Sequence, residues 1–125
     1  MVSVVLKTIG IVALFASIAL AGEQSDFEAI QQAYRLNSSN KQELVKKYFK
    51  TYPKSNYIPH IRMLMADSAS TVDRSIAEYH KIISNYRYFA KRDVAFLSLC
   101  QLYYIKSDWG NLLTICNQAI TECSA

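Results

Sequence analysis

Residues 93–123 carry two apolar stripes at helical spacing, and no other stretch leaves the chain so little choice of structure. The first stripe runs Phe96, Leu99, Leu102, Tyr103; the second runs Trp109, Leu112, Leu113, Cys116, Ala119, Ile120. Steps of three and four put each set on one face of an α-helix. Lys106-Ser107-Asp108 between them is short and polar, so the expected unit is an antiparallel helical hairpin. Cys100, a small residue between Leu99 and Tyr103, marks where the first helix lets its partner come close.

Upstream the same organisation recurs. Ser25–Leu36 reads as a helix capped by Ser25 or Asp26, with Phe27, Ile30, Ala33 and Tyr34 on one face. Asn37-Ser38-Ser39-Asn40 turns the chain. Lys41–Tyr52 resumes helix until Pro53 stops it. Ser55 is placed to cap a third helix reaching Ala69, with Pro59 in its first turn, where a missing N–H is harmless. Asp73 is placed to cap a fourth, Arg74–Tyr86, with Ile76, Tyr79, Ile82 and Ile83 inward. A common frame links these pieces: Tyr52 to Tyr86 (86 − 52 = 34), and likewise Tyr48 to Ile82, Pro53 to Arg87, Met65 to Leu99 and Ala66 to Cys100. The last hairpin departs from it by about three residues, which places an insertion near Lys106–Asp108.

A 34-residue period with the order large, small, aromatic, turn, aromatic, small resembles the tetratricopeptide repeat. Tyr48–Tyr57, with an aromatic helix end, Tyr-Pro-x-Ser and Tyr, is similar to the repeats of periplasmic envelope-assembly proteins. Leu112, Ser124 and the displaced Gly110 depart from the family pattern. The resemblance implies an all-α fold, a right-handed solenoid of three antiparallel helix-turn-helix hairpins at roughly 25–53, 55–86 and 88–123 within a domain spanning 22–125. Three repeats without a polar capping helix predict that Ile115, Ala119 and Ile120 are left partly exposed. The chain would then be the start of a longer array, or its end face would dock onto a second copy or a partner.

Met1–Ala21 has Lys7, the apolar run Ile9–Leu20 and a closing Ala19-Leu20-Ala21, the layout of a secretory signal peptide cleaved before Gly22. The run is short for a membrane span, which needs about 20 apolar residues. A periplasmic or secreted location follows, with no stable membrane insertion after cleavage. The formal charge of the 125-residue chain is only +4, and with export this argues against nucleic acid as a partner.

Catalytic signatures are not found in the sequence. His60 and His80 have no His, Cys or carboxylate three or four residues away, and no H-E-x-x-H or G-x-S-x-G occurs. Three glycines in the whole chain cannot build a phosphate-cradling loop. No metal site or cofactor is expected. Cys116 and Cys123 lie seven apart on one helix, roughly 10 Å along its axis, too far for a disulfide. Cys100 and Cys116 fall on facing helices with an expected offset of about a turn, which favours two small packing residues over a bridge.

The resemblance, with the signal-peptide layout, implies a non-catalytic protein-interaction module of the bacterial cell envelope. In the family that the chain resembles, the first helix of each repeat lines a concave groove. With Ala66 and Cys100 as the close-contact positions, that implies a groove of His60, Met63, Asp67, Leu97, Gln101 and Tyr104, joined by Tyr34 from the first repeat. The mixture of apolar, amide and aromatic groups suits an extended peptide or protein partner. The alternatives are an N-terminal accessory module of a larger envelope enzyme, and a secreted effector or inhibitor.

Overall fold

The computed structural model describes residues 22–123, so the signal segment Met1–Ala21 lies outside the described residues. Those residues form six helices and no strand: α1 (22–35), α2 (Lys41–Thr51), α3 (Ile58–Asp67), α4 (Val72–Asn85), α5 (Arg92–Ile105) and α6 (Trp109–Cys123). The chain divides into two compact units, one ending at Ser55 and one beginning at Asn56.

In the first unit, α1 and α2 pair antiparallel. Tyr52 Oη donates to Asp26 at 2.8 Å, so the end of α2 meets the start of α1, and Tyr48 Oη lies 2.7 Å from Ser55 Oγ in the segment that follows α2. Phe27, Ile30, Ala33, Val45 and Tyr48 are buried. The helix is already formed at residue 22, which places Ser25 and Asp26 inside it rather than at its cap. Asp26 serves as the acceptor for Tyr52 instead.

In the second unit, each of α3 to α6 packs against its neighbour in sequence. The core is Met63, Ala66, Ile76, Tyr79, Ile82, Ile83, Ala95, Phe96, Leu99, Tyr103 and Ile115. Ser75 Oγ donates to the Ala66 carbonyl at 2.7 Å, which fixes the close α3–α4 approach at a residue too small to hold the helices apart. Arg62 and Glu78 pair at 3.1 Å across the same two helices. At the opposite side of the unit, Arg92 bridges three elements. Its Nε and Nη2 donate to the Ile83 carbonyl of α4, Nη2 also donates to Glu122 of α6, and its guanidinium lies 5.0 Å from the Phe96 ring.

Two caps differ from the sequence reading. α3 begins at Ile58 after Tyr57, with no side-chain cap, because Ser55 is engaged by Tyr48. α4 is capped by Thr71, whose Oγ1 accepts from the Arg74 N–H at 3.2 Å, while Asp73 sits in the first turn.

Two helix ends 34 residues apart share one backbone geometry. Tyr52 closes α2 at φ −125°, ψ 63°, and Tyr86 closes α4 at φ −127°, ψ 65°. Each cap N–H bonds the carbonyl four residues back, and each carbonyl then accepts from the residue three ahead, Ser55 or Phe89, at 3.1 Å. The departure in the last hairpin lies in helix, not in the turn: α5 has 14 residues against 10 in α3. That extra turn carries Tyr104 and Ile105.

α6 is also rotated relative to the predicted stripe. Ile115 is buried, Leu112 and Ala119 border the core, and Cys116 is half-buried. Ile115 therefore is not exposed, because it lies between Leu112 and Ala119 on the row that meets α5. Trp109, Leu113 and Ile120 face outward.

Candidate interaction surface

The lengthened end of α5 is closed by a Schellman turn: Asp108 N–H bonds the Tyr103 carbonyl and Ser107 N–H the Tyr104 carbonyl, both at 2.9 Å. Ser107 takes the left-handed backbone this turn requires, at φ 55°. Asp108 then caps α6, its carboxylate accepting from the backbone and the side chain of Asn111. Those two donors hold the Asp108 carboxyl below its usual range. The chain thus reverses within three residues, so that Trp109 emerges directly beside Tyr104.

Tyr104 and Trp109 are edge to face with ring centroids 5.6 Å apart, yet they are 65% and 58% exposed. Leu97, Ile105 and Leu113 are exposed beside them in sequence and along the same two helices. Cys100, Gln101, Tyr104, Ile105 and Leu112 line an open cavity of about 480 Å³. Apolar atoms dominate its walls, and Gln101 contributes an amide able both to donate and to accept. An apolar recess with one aromatic wall and one amide is suited to holding a side chain or a short peptide segment.

Beneath this surface the sulfurs of Cys100 and Cys116 stand 3.4 Å apart. The offset expected from the sequence is absent, because the rotation of α6 brings Cys116 opposite Cys100. Burial and the contact with Cys116 push the Cys100 thiol up to about 11.

Of the residues assigned to a groove by sequence, Leu97, Gln101 and Tyr104 share the exposed side of α5 at steps of four and three. The α3 residues are otherwise engaged. Met63 belongs to the core. Asp67 is exposed and accepts from Tyr79 Oη, and burial together with that bond pushes the Tyr79 phenol up to about 12. His60 packs edge-on against Phe89 at 4.8 Å, and burial, then the charge of Lys91, lower its pKa. Tyr34 lies in the first unit, with the Lys41 ammonium 5.3 Å above its ring. Ile105, Trp109 and Leu113 complete the surface; the sequence puts Trp109 and Leu113 in the apolar stripe of the last helix and gives Ile105 no role. A repeat frame that fails by three residues was the signal available for them.

His80 Nε2 and Tyr103 Oη lie 2.7 Å apart between α4 and α5. Among the described residues no three His, Cys, Asp or Glu side chains are grouped to hold a metal ion. No helix among them is long and apolar enough to cross a membrane. Comparison of the chain with protein-family models, curated proteins and solved structures found no match.

Proposed function

We propose that the chain is a non-catalytic protein-interaction module, and that its binding site is the face formed by the end of α5 and the start of α6. The observation that carries this reading is the Tyr104–Trp109 pair, packed together yet more than half exposed, with Tyr104 forming part of the wall of an apolar cavity. Exposed aromatic pairs of this kind supply contact area at low entropic cost. The partner is a peptide or protein segment that seats an apolar side chain in the cavity and pairs its backbone with Gln101. The recurring caps at Tyr52 and Tyr86 support a tetratricopeptide-like, right-handed solenoid as the scaffold. With the signal-peptide layout of Met1–Ala21, the setting is the bacterial periplasm or the secreted fraction.

Capture from envelope extract tests this directly. Tyr104→Ala with Trp109→Ala should abolish capture of the partner, since aromatic anchors commonly contribute ~2 kcal/mol or more, while leaving the melting temperature unchanged. Undiminished capture by the double variant removes the site. Fractionation tests the location independently.

A second reading is favoured by Leu113 and Ile120, which lie seven residues apart on α6 and are both exposed. On this reading the outer face of α6 associates with a second copy. Sedimentation of the wild type against Leu113→Lys distinguishes it: a dimer that the variant loses supports self-association, and a monomer excludes it.

A further inference from the structure

Cys100 and Cys116, in the second unit, bring their sulfurs within 3.4 Å across the α5–α6 hairpin. Both are free thiols and half-buried. Packing alone would bury such a pair, but here Cys100 also forms part of the wall of a cavity that opens to solvent. Cys123, in contrast, is exposed at the end of α6, seven residues from Cys116 on the same helix.

We propose that Cys100 and Cys116 are a redox-active dithiol that closes to an intramolecular disulfide by exchange with a small-molecule disulfide entering through the cavity. One cysteine, as its thiolate, attacks a sulfur of the reagent R–S–S–R. The reagent's S–S bond breaks, one R–S⁻ leaves and takes up a proton, and a protein–S–S–R mixed disulfide remains. The second cysteine loses its proton and attacks the protein-side sulfur, expelling the second R–S⁻, which is protonated in turn. Two protein thiols are thereby oxidised by two electrons, and the reagent is reduced to two R–SH. The two sulfurs must close from 3.4 Å to about 2.0 Å for the bond to form. The bridge would tie α5 to α6 directly under Gln101, Tyr104 and Leu112, fixing the wall of the cavity. The proposal concerns the thiols themselves and holds whatever occupies the surface.

The test uses the full chain carrying Cys123→Ser, so that intermolecular pairing through that thiol is removed. The reduced protein is incubated with oxidised glutathione, denatured, alkylated with iodoacetamide, and examined by intact mass and peptide mapping. The expected product has lost two hydrogens, accepts no alkyl group, and yields a cross-linked peptide pair containing Cys100 and Cys116. Because the Cys100 thiol is held at about 11, closure should accelerate as the pH is raised from neutrality. Cys100→Ser and Cys116→Ser in the same background should each stop at the glutathione adduct or fail to react. Two alkylatable thiols after incubation, a persistent glutathione adduct in the intact pair, or only intermolecular dimers would overturn the proposal.

Discussion

Met63 of α3 and Leu97 of α5 occupy the same place in the 34-residue frame, yet Met63 is 9% exposed and Leu97 59% exposed. Met63 joins the cluster that includes Ala95, Phe96 and Leu99, so its thioether is covered by the helices that follow it. Leu97 stands in the last hairpin among the described residues and lacks such a cover. Equal positions in a repeat therefore carry unequal energies. Met63→Ala should cost about 2–5 kcal/mol, as truncation of a core side chain does, while Leu97→Ala should stay within about 0.5 kcal/mol. Chemical denaturation of the two variants checks the contrast, and similar losses for both would show that Leu97 is covered in solution.

Arg92 offers a second test. Its guanidinium donates twice to the Ile83 carbonyl, at 3.0 and 2.7 Å, and pairs with Glu122 while stacking on Phe96. A lysine has no planar fork and cannot reproduce this set. Arg92→Lys should therefore destabilise nearly as much as Arg92→Ala, each by about 1.5–3 kcal/mol, the range for hydrogen bonds to charged groups. Glu122→Gln, at the exposed end of the network, should change little. Recovery of wild-type stability by the lysine variant would show that charge alone matters at this position.

The helices themselves were legible because apolar residues at steps of three and four leave no other economical arrangement, and Pro53 and Lys106–Asp108 punctuate them in plain view. Their ends were less so. Ser55 has the chemistry of a cap but is claimed by Tyr48, and Thr71 takes the role expected of Asp73, contacts that depend on tertiary packing or on a one-turn choice. The site was half legible. Helical spacing puts Leu97, Gln101 and Tyr104 on one face, and the tetratricopeptide resemblance implied that this face is the binding one, whereas Trp109 and Leu113 look like core residues in any one-dimensional pattern. Only the rotation of α6, set by Ile115 entering the core, turns them outward. The same rotation brings Cys116 opposite Cys100, against the offset expected from counting residues across the turn.

Acidification should destabilise the fold through its histidines. Burial lowers the pKa of His80, and burial with the Lys91 charge lowers that of His60. A group whose folded pKa lies below its unfolded value takes up its proton first in the unfolded chain. Its contribution is thus complete above about pH 6.5 and is lost as the pH falls from there towards the folded value. Denaturation midpoints should fall between about pH 7.5 and 5.5, above the range where the carboxylates titrate. His80→Gln should flatten that slope while leaving the midpoint at the acid end less affected. A midpoint independent of pH in this window would mean that both imidazoles protonate freely in the folded chain.

The last expectation concerns the two small positions of the frame, Ala66 and Cys100. Ala66 is fully buried, with Ser75 bonded to its carbonyl at 2.7 Å, so α3 and α4 have no room to part. Cys100 faces Cys116 on one side but borders the cavity on the other. Added methylenes at Ala66 must displace the neighbouring helix, and Ala66→Leu should cost at least about 1–3 kcal/mol, the usual penalty of overpacking. At Cys100 the larger side chain can turn into the cavity, so Cys100→Leu should fall at or below the low end of that range. It should also fill the recess beneath Tyr104. The variant is therefore expected to melt near the wild type while losing partner capture from envelope extract, separating the cavity from the stability of the hairpin. A severe loss of stability at Cys100 would show that the contact with Cys116 leaves no rotamer open to the cavity. Full stability with full capture would show that the partner does not enter it.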